Sequence, residues 1–243
     1  MSISVDSSWA RATQDGGASN NVDTGSKTPA AGTLLVAVFS TNTNGGENVT
    51  PTVSTLTGTS GAWTKRVESP ATTGDGNTSI WTAVADGSAI TVRGTSNTAQ
   101  GTKFQSIKIY IVSGQHASAP IGANALGVST TNNLTTTAYV STADNSRGFV
   151  GGTEWNDLGT PVSSDTTLDT FYDGSAGDDL CGCSGVKAAD TATSGSNVTF
   201  NLDAAGSGAA DWTWAALEIL PDAGAGAGIA IPVLTRQYRQ RWS

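Results

Sequence analysis

An all-β fold, an antiparallel two-sheet sandwich with an extended C-terminal arm, is what this sequence predicts, and three observations predict it. The 243 residues include 36 Thr and 30 Gly, only 13% are charged, and 16 Asp stand against 4 Glu. Thr, Val, Ile and aromatic residues suit strands, Asp, Gly, Asn and Ser suit turns, and helices lean on Glu, Lys, Leu and Ala. Apolar residues also fall in short runs, alternating or continuous, with turn residues between them. No segment carries a capped 3.6-residue period. These features argue against a helix bundle, a coiled coil and a doubly wound α/β enzyme. Disorder is excluded as well, because 37% of the residues are hydrophobic and they are organised.

Residues 7–31 form a long polar stretch, so 1–31 is expected to be partly extended. Residues 33–39 are nearly all apolar, which fits a central strand. Strands are predicted at 62–67 and 79–85, with Asp86-Gly87 as a type I′ hairpin turn into a strand at 89–93. Residues 106–112 alternate, with Ile107, Ile109 and Ile111 on one face and Lys108 and Tyr110 on the other. Shorter strands are predicted at 135–140, 148–152 and 168–172, and the body closes with 198–202 and 212–220. Residues 156–167 and 173–184 read as loops, which at such length are often functional or interface-forming.

The body is therefore predicted at 1–222, followed by a Gly/Ala linker at 223–228 and an arm at 229–243. Charge divides at the same place. Residues 1–222 hold all 20 acids and nine of the 12 basic residues, a balance of −11, while the rest carries Arg236, Arg239 and Arg241 and no acid. An acidic body makes nucleic acid or an anionic membrane an unfavoured partner. Gly-Ala repeats have no side chains to pack and act as a tether. The arm alternates apolar and polar residues and ends in the Tyr, Arg and Trp types that anchor interfaces. Ile231, Val233, Leu234, Arg236, Tyr238, Arg239, Arg241 and Trp242 are its candidate partner-binding residues. The first residues show no basic region followed by an apolar one, so no secretory signal is expected.

The order of several short motifs carries a resemblance. Leu34-Leu-Val-Ala-Val38, Trp63-Thr-Lys65, Ser79-Ile-Trp81 and Ala89-Ile-Thr-Val92 come first. Ala119-Pro-Ile-Gly-Ala123, Gly148-Phe-Val-Gly-Gly152 and Trp212-Thr-Trp-Ala-Ala-Leu-Glu-Ile-Leu220 follow. Over residues 30–221 the series resembles β-sandwich domains of tailed-phage virion structural proteins, also seen in some bacterial surface proteins. The resemblance implies a jelly-roll-like fold and a structural or adhesive role, and it supplies no catalytic residues. It implies a capsid decoration or a tail or neck accessory, assembled in the host cytoplasm, with other virion proteins and further copies of itself as partners. The Arg-rich arm departs from the resemblance.

Chemistry in the sequence is sparse. His116 is the only histidine and would have to serve any triad with Ser113 or Ser118, yet no nucleophile elbow surrounds either. Glu154 and Asp157 flank Trp155, an acid-and-indole composition suited to stacking on a sugar, so these three are candidate glycan-binding residues of an adhesin module. Trp212 and Trp214 share a strand face, where core packing is the commoner outcome, and Glu218 points the same way. Asp173, Asp178 and Asp179 form an acidic loop with a weak Ca²⁺ composition but without EF-hand spacing. Cys181 and Cys183, one residue apart, are expected as free thiols. No enzyme activity and no cofactor are expected.

Overall fold

Residues 34–39 enter a strand whose two faces are both covered. In the computed structural model, which describes residues 2–15, 19–43, 50–70, 76–96, 103–130, 133–154, 160–173, 180–203 and 212–222, every strand pair is antiparallel. The strands are β1 (Ser4–Asp6), β2 (Ala12–Asp15), β3 (Asn21–Asp23), β4 (Leu34–Thr43), β5 (Thr52–Thr57), β6 (Thr64–Glu68), β7 (Asn77–Val84) and β8 (Thr91–Thr95). They continue with β9 (Lys103–Ser113), β10 (Ile121–Ser129), β11 (Asn133–Val140), β12 (Arg147–Glu154), β13 (Thr166–Asp173), β14 (Leu180–Lys187), β15 (Asn197–Asp203) and β16 (Trp212–Ile219). The all-β class holds, but four sheets form where two were expected.

A large sheet runs β1-β9-β4-β7-β6, with β2 also on β9, and a small sheet runs β3-β8-β5. A second large sheet runs β10-β16-β12-β14-β13, and a second small one pairs β11 with β15. Alternation along each central strand explains the stacking. Leu34, Val36 and Val38 of β4 join Phe149, Ala215 and Leu217 in a core between the two large sheets. Leu35, Ala37 and Phe39 face the other way, onto Val53 and Val92 of the first small sheet and Ile90 just before β8. In the second half, Val150, Trp212, Trp214 and Ala216 pack on Tyr139, Val198, Phe200 and Leu202. The layers therefore run small, large, large, small. A strand buried on both sides reads as a continuous apolar run, as in β4.

The two halves repeat one arrangement. With β2 and β5 set aside, each half has seven strands, and their order in the large sheet is first, seventh, third, fifth, fourth, while the second pairs with the sixth. Each half has its own core, one built only from residues before 112 and the other only from residues after 122. The third core joins them.

The Asp86-Gly87 hairpin does not form. β7 and β8 belong to different sheets. A type I′ turn needs positive φ at both central residues. Gly87 has φ +93, but among the described residues Asn145 is the only non-glycine with positive φ. The Asp86 carboxylate instead accepts the Ser88 N–H at 2.9 Å and the Ser88 and Thr59 hydroxyls, an Asx turn that carries the chain from the large sheet to the small one. Those hydrogen bonds hold its carboxyl down to about 2. The polar stretch 7–31 also contains structure, since β2 pairs with β9 and β3 with β8.

The large sheets approach closely at Gly151, where an added Cβ would lie 2.5 Å from Val38 Cγ1 and 2.6 Å from Thr78 Cγ2. Beside it, the Thr78 and Thr153 hydroxyls hydrogen bond across the layers at 2.7 Å. Gly151→Ala is expected to destabilise by about 1–3 kcal/mol through overpacking. Gly25→Ala, with nothing within 4 Å of its Cβ, serves as the near-neutral comparison. Urea denaturation of the two variants measures the difference, and equal midpoints would contradict the close approach.

Candidate functional site

The polar chemistry of the described residues gathers where the halves meet. On β9, Lys108 shares its face with Tyr110 and Val112, both of which lie in the core between the large sheets. Its side chain is therefore carried inward and is only 4% exposed. The ammonium donates to the Ser7 and Trp9 carbonyls, each at 2.8 Å, and pairs with Asp169 Oδ2 at 2.6 Å. Three donors meet three acceptors. Arg11 Nε pairs with Asp169 Oδ1, its other nitrogens reach the Asp169 carbonyl and the Ser106 and Ser184 hydroxyls, and its guanidinium lies over the Phe171 ring. Tyr110 donates to Ser184 at 3.0 Å. Burial pushes the Asp169 carboxyl up, but Arg11 and Lys108 outweigh it and hold the group below the ordinary range. The cluster ties the N-terminal segment and both halves together.

A cavity of about 200 Å³ opens beside it, lined by Val5, Tyr110, Arg147, Leu168, Asp169 and Lys187 among others. Its cations are already engaged: Arg147 pairs with Asp190 at 2.6 Å and donates to the Lys187 carbonyl, and Lys187 pairs with Asp165 at 2.8 Å. Such groups stabilise a junction, and none is poised as a general base or nucleophile.

A second polar centre lies at the far end of β16. Glu218 is fully buried, on the same side as Trp212 and Trp214. Its oxygens accept the Ser141 hydroxyl at 2.9 Å, the Thr142 hydroxyl at 2.6 Å, and the N–H groups of Ala123 at 2.8 Å and Thr142 at 3.0 Å. Burial alone would raise its pKa, yet the bonds from the Thr142 hydroxyl and from the Ala123 and Thr142 N–H groups hold it below the ordinary carboxylate range. The carboxylate pins the start of β10 and the turn after β11 to β16.

The residues singled out in the sequence are dispersed. Glu154 is buried at 0% exposure and accepts the Cys181 thiol at 3.3 Å, so its carboxylate faces the interior and not a sugar. Trp155, Asp157, Asp178 and Asp179 lie outside the described residues, as do all eight arm residues. Asp173 closes β13 opposite Leu180. No group of three acids, cysteines or histidines suited to a metal occurs among the described residues. Cys181 and Cys183 form no disulfide and are buried, and burial pushes the Cys183 thiol up to about 12. His116 Nδ1 accepts the Ser118 and Ala119 N–H groups at 3.3 and 3.1 Å, closing its own loop. It borders a cavity of about 490 Å³ with Asp144, Asn145, Ser194, Pro221 and Asp222.

Sequence reasoning missed Arg11, Asp169 and the inward position of Lys108. A signal for Lys108 was present: both faces of its strand are apolar, which leaves no solvent side for a lysine. Comparison with known families, curated proteins and solved structures gives no match.

Proposed function

We propose that this chain is a non-enzymatic structural protein of a tailed-phage particle, a capsid decoration or a tail or neck accessory, held to neighbouring subunits by residues 229–243. The observation that carries this reading is the division of charge and composition at residue 222, where a body of −11 gives way to a Gly/Ala tether and a +3 arm. The build of the body agrees with it. Its half-buried Asp169, set against the buried Lys108 and Arg11 side chains, and its buried Glu218 are spent on joining strands. Within each half the chain passes between a large and a small sheet, and the jelly-roll-like fold implied by the virion resemblance is part of this proposal. Long chains that attach by an arm use few strong anchors, and Arg236, Tyr238, Arg239, Arg241 and Trp242 are of the anchoring types.

Deletion of residues 223–243 is expected to abolish incorporation into particles and leave a body with unchanged thermal unfolding. Incorporation assayed on purified particles decides it, and normal uptake of the shortened chain would remove the anchoring role.

A further inference from the structure

The cavity of about 490 Å³ beside His116 lies where β16 ends, walled by three turns and by the residues that follow that strand. The turn at 114–119 supplies His116, 141–146 supplies Asp144 and Asn145, and 191–196 supplies Ser194. Hydrogen bonds brace each turn. The His116 N–H donates to the Leu220 carbonyl at 2.9 Å, and the Asp222 N–H to the Gly114 carbonyl at 2.7 Å. The Ser141 N–H bonds the Ser196 carbonyl, the Gly195 N–H the Ser141 carbonyl and the Thr191 N–H the Ser146 carbonyl, each at 2.8 Å. Asp144 Oδ1 accepts the Ser194 N–H at 2.7 Å. Behind the middle turn, Glu218 takes the Ser141 hydroxyl and both the N–H and the hydroxyl of Thr142. The walls are thus fixed in advance, so a ligand meets little of the cost of ordering them.

The lining selects the ligand by elimination. Its volume falls within the ~300–1,000 Å³ of small-molecule sites. Asp144 and Asp222 disfavour an anion, and among the described residues no lysine or arginine lines the cavity to offset them. No group of acids, cysteines or histidines suited to a metal occurs among the described residues. A wholly apolar ligand would take water from the polar groups and return nothing. An ammonium or guanidinium can only donate, yet the cavity holds donors as well as acceptors. His116 Nδ1 accepts the Ser118 and Ala119 N–H groups, so the neutral imidazole carries its proton on Nε2 as a donor. The Asn145 amide and the Ser194 hydroxyl both donate and accept. Such a mixed set matches a ligand whose own groups also do both, which is a polyhydroxylated molecule.

We propose that this cavity binds a neutral saccharide in the millimolar range. Asp144, Asn145, Ser194 and the His116 Nε2–H take its hydroxyls, and Leu220 and Pro221 lie against its C–H face. The site is at the opposite end of β16 from Glu154 and Trp212, and it is built without an indole. It also gives the buried Glu218 a further role, as a positioning residue for the wall at 141–146. The inference goes beyond the structural role proposed above and does not depend on it.

His116 is the only histidine, so its imidazole proton resonances report on this cavity alone. The test is proton NMR titration of the full-length chain at fixed pH with D-glucose, D-galactose, D-mannose and N-acetyl-D-glucosamine, each to on the order of 50 mM. L-Argininamide is titrated in parallel as a cationic ligand. A saturable shift of the His116 signals is expected with at least one sugar. Asn145→Gly keeps the positive φ of 58 accessible and removes the amide. It is expected to weaken that binding by about tenfold or more, the equivalent of one lost hydrogen bond, with an unchanged thermal midpoint. Ser194→Ala, on a different turn, removes a second contact and is read in the same way. No saturable shift with any of the sugars overturns the proposal. A shift that saturates with L-argininamide at lower concentration than with any sugar overturns the polyol assignment. Sugar binding that survives both substitutions at full strength places the saccharide elsewhere and overturns the cavity.

Discussion

Asp169→Ala is expected to lower the unfolding free energy by about 3–5 kcal/mol, the range for removing one partner from a buried ionic group. Among the described residues the carboxylate is the one acid paired with two cations of the cluster, Arg11 at 9% side-chain exposure and Lys108 at 4%. Without it, both cations remain inside with carbonyl and hydroxyl partners but no countercharge. The loss is not a matter of packing alone, because Asp169→Asn, similar in size, should recover only part of it. Lys108→Met in the Asp169→Ala background removes one stranded charge and keeps an apolar stem, so the double variant should be more stable than Asp169→Ala. A double-mutant cycle in urea at pH 7 measures the coupling. A cost below about 1 kcal/mol, the level of an exposed pair, would show that the cluster is not acting as a buried one. The N-terminal segment should also loosen, since Arg11 is its link to β13 and β14. Faster amide exchange in residues 4–15 of Asp169→Ala reads that directly.

What was legible in the sequence follows from how each strand is covered. β4, β7, β9 and β16 could be read because large apolar side chains fill at least one face. β14 could not: Cys-Gly-Cys-Ser-Gly reads as a loop, yet Gly182 leaves room for the Phe171 ring and Gly185 for Leu168. β10 was hidden for the same reason. Gly127 lies under the Trp214 indole of the paired strand, so the hydrophobic surface of that pair belongs to β16. β1, β2 and β3 are short and polar and exist because β9 and β8 offer them a ladder, which is a long-range fact. The Asp86-Gly87 error was of another kind. The dipeptide is a turn, as expected, but the Asp86 side chain chose an Asx turn over the hairpin. The four-layer order and the repeat were invisible because pairing between distant strands fixes them, and the two halves fill equivalent places with different residues. For Glu218 the strand alternation gave the face, shared with Trp212 and Trp214, but not whether that face is covered; the structure buries and partners it.

Glu218→Gln is expected to cost about 2–5 kcal/mol at pH 7, because buried donors left without an acceptor each cost about 1–3 kcal/mol. Four donors converge on the carboxylate: two hydroxyls and two N–H groups. A glutamine offers one oxygen, and its NH₂ would face donors. The pH dependence separates charge from shape. The folded-state pKa of Glu218 lies below its ordinary value of 4.5. Its contribution is therefore complete above the unfolded value and is lost as pH falls through the folded one. Wild-type stability should drop on acidification below about pH 4.5, where the unfolded state takes up its proton first. The glutamine variant lacks this titration, so the gap between the two proteins should narrow steadily from pH 5 toward pH 3. Urea midpoints across that range test the sign, and a gap as wide at pH 3 as at pH 7 would mean that the four hydrogen bonds depend on the shape of the side chain and not on its charge. Because Glu218 fastens the start of β10 to β16, its loss should also free that edge, and amide exchange in residues 121–125 should rise ahead of global unfolding.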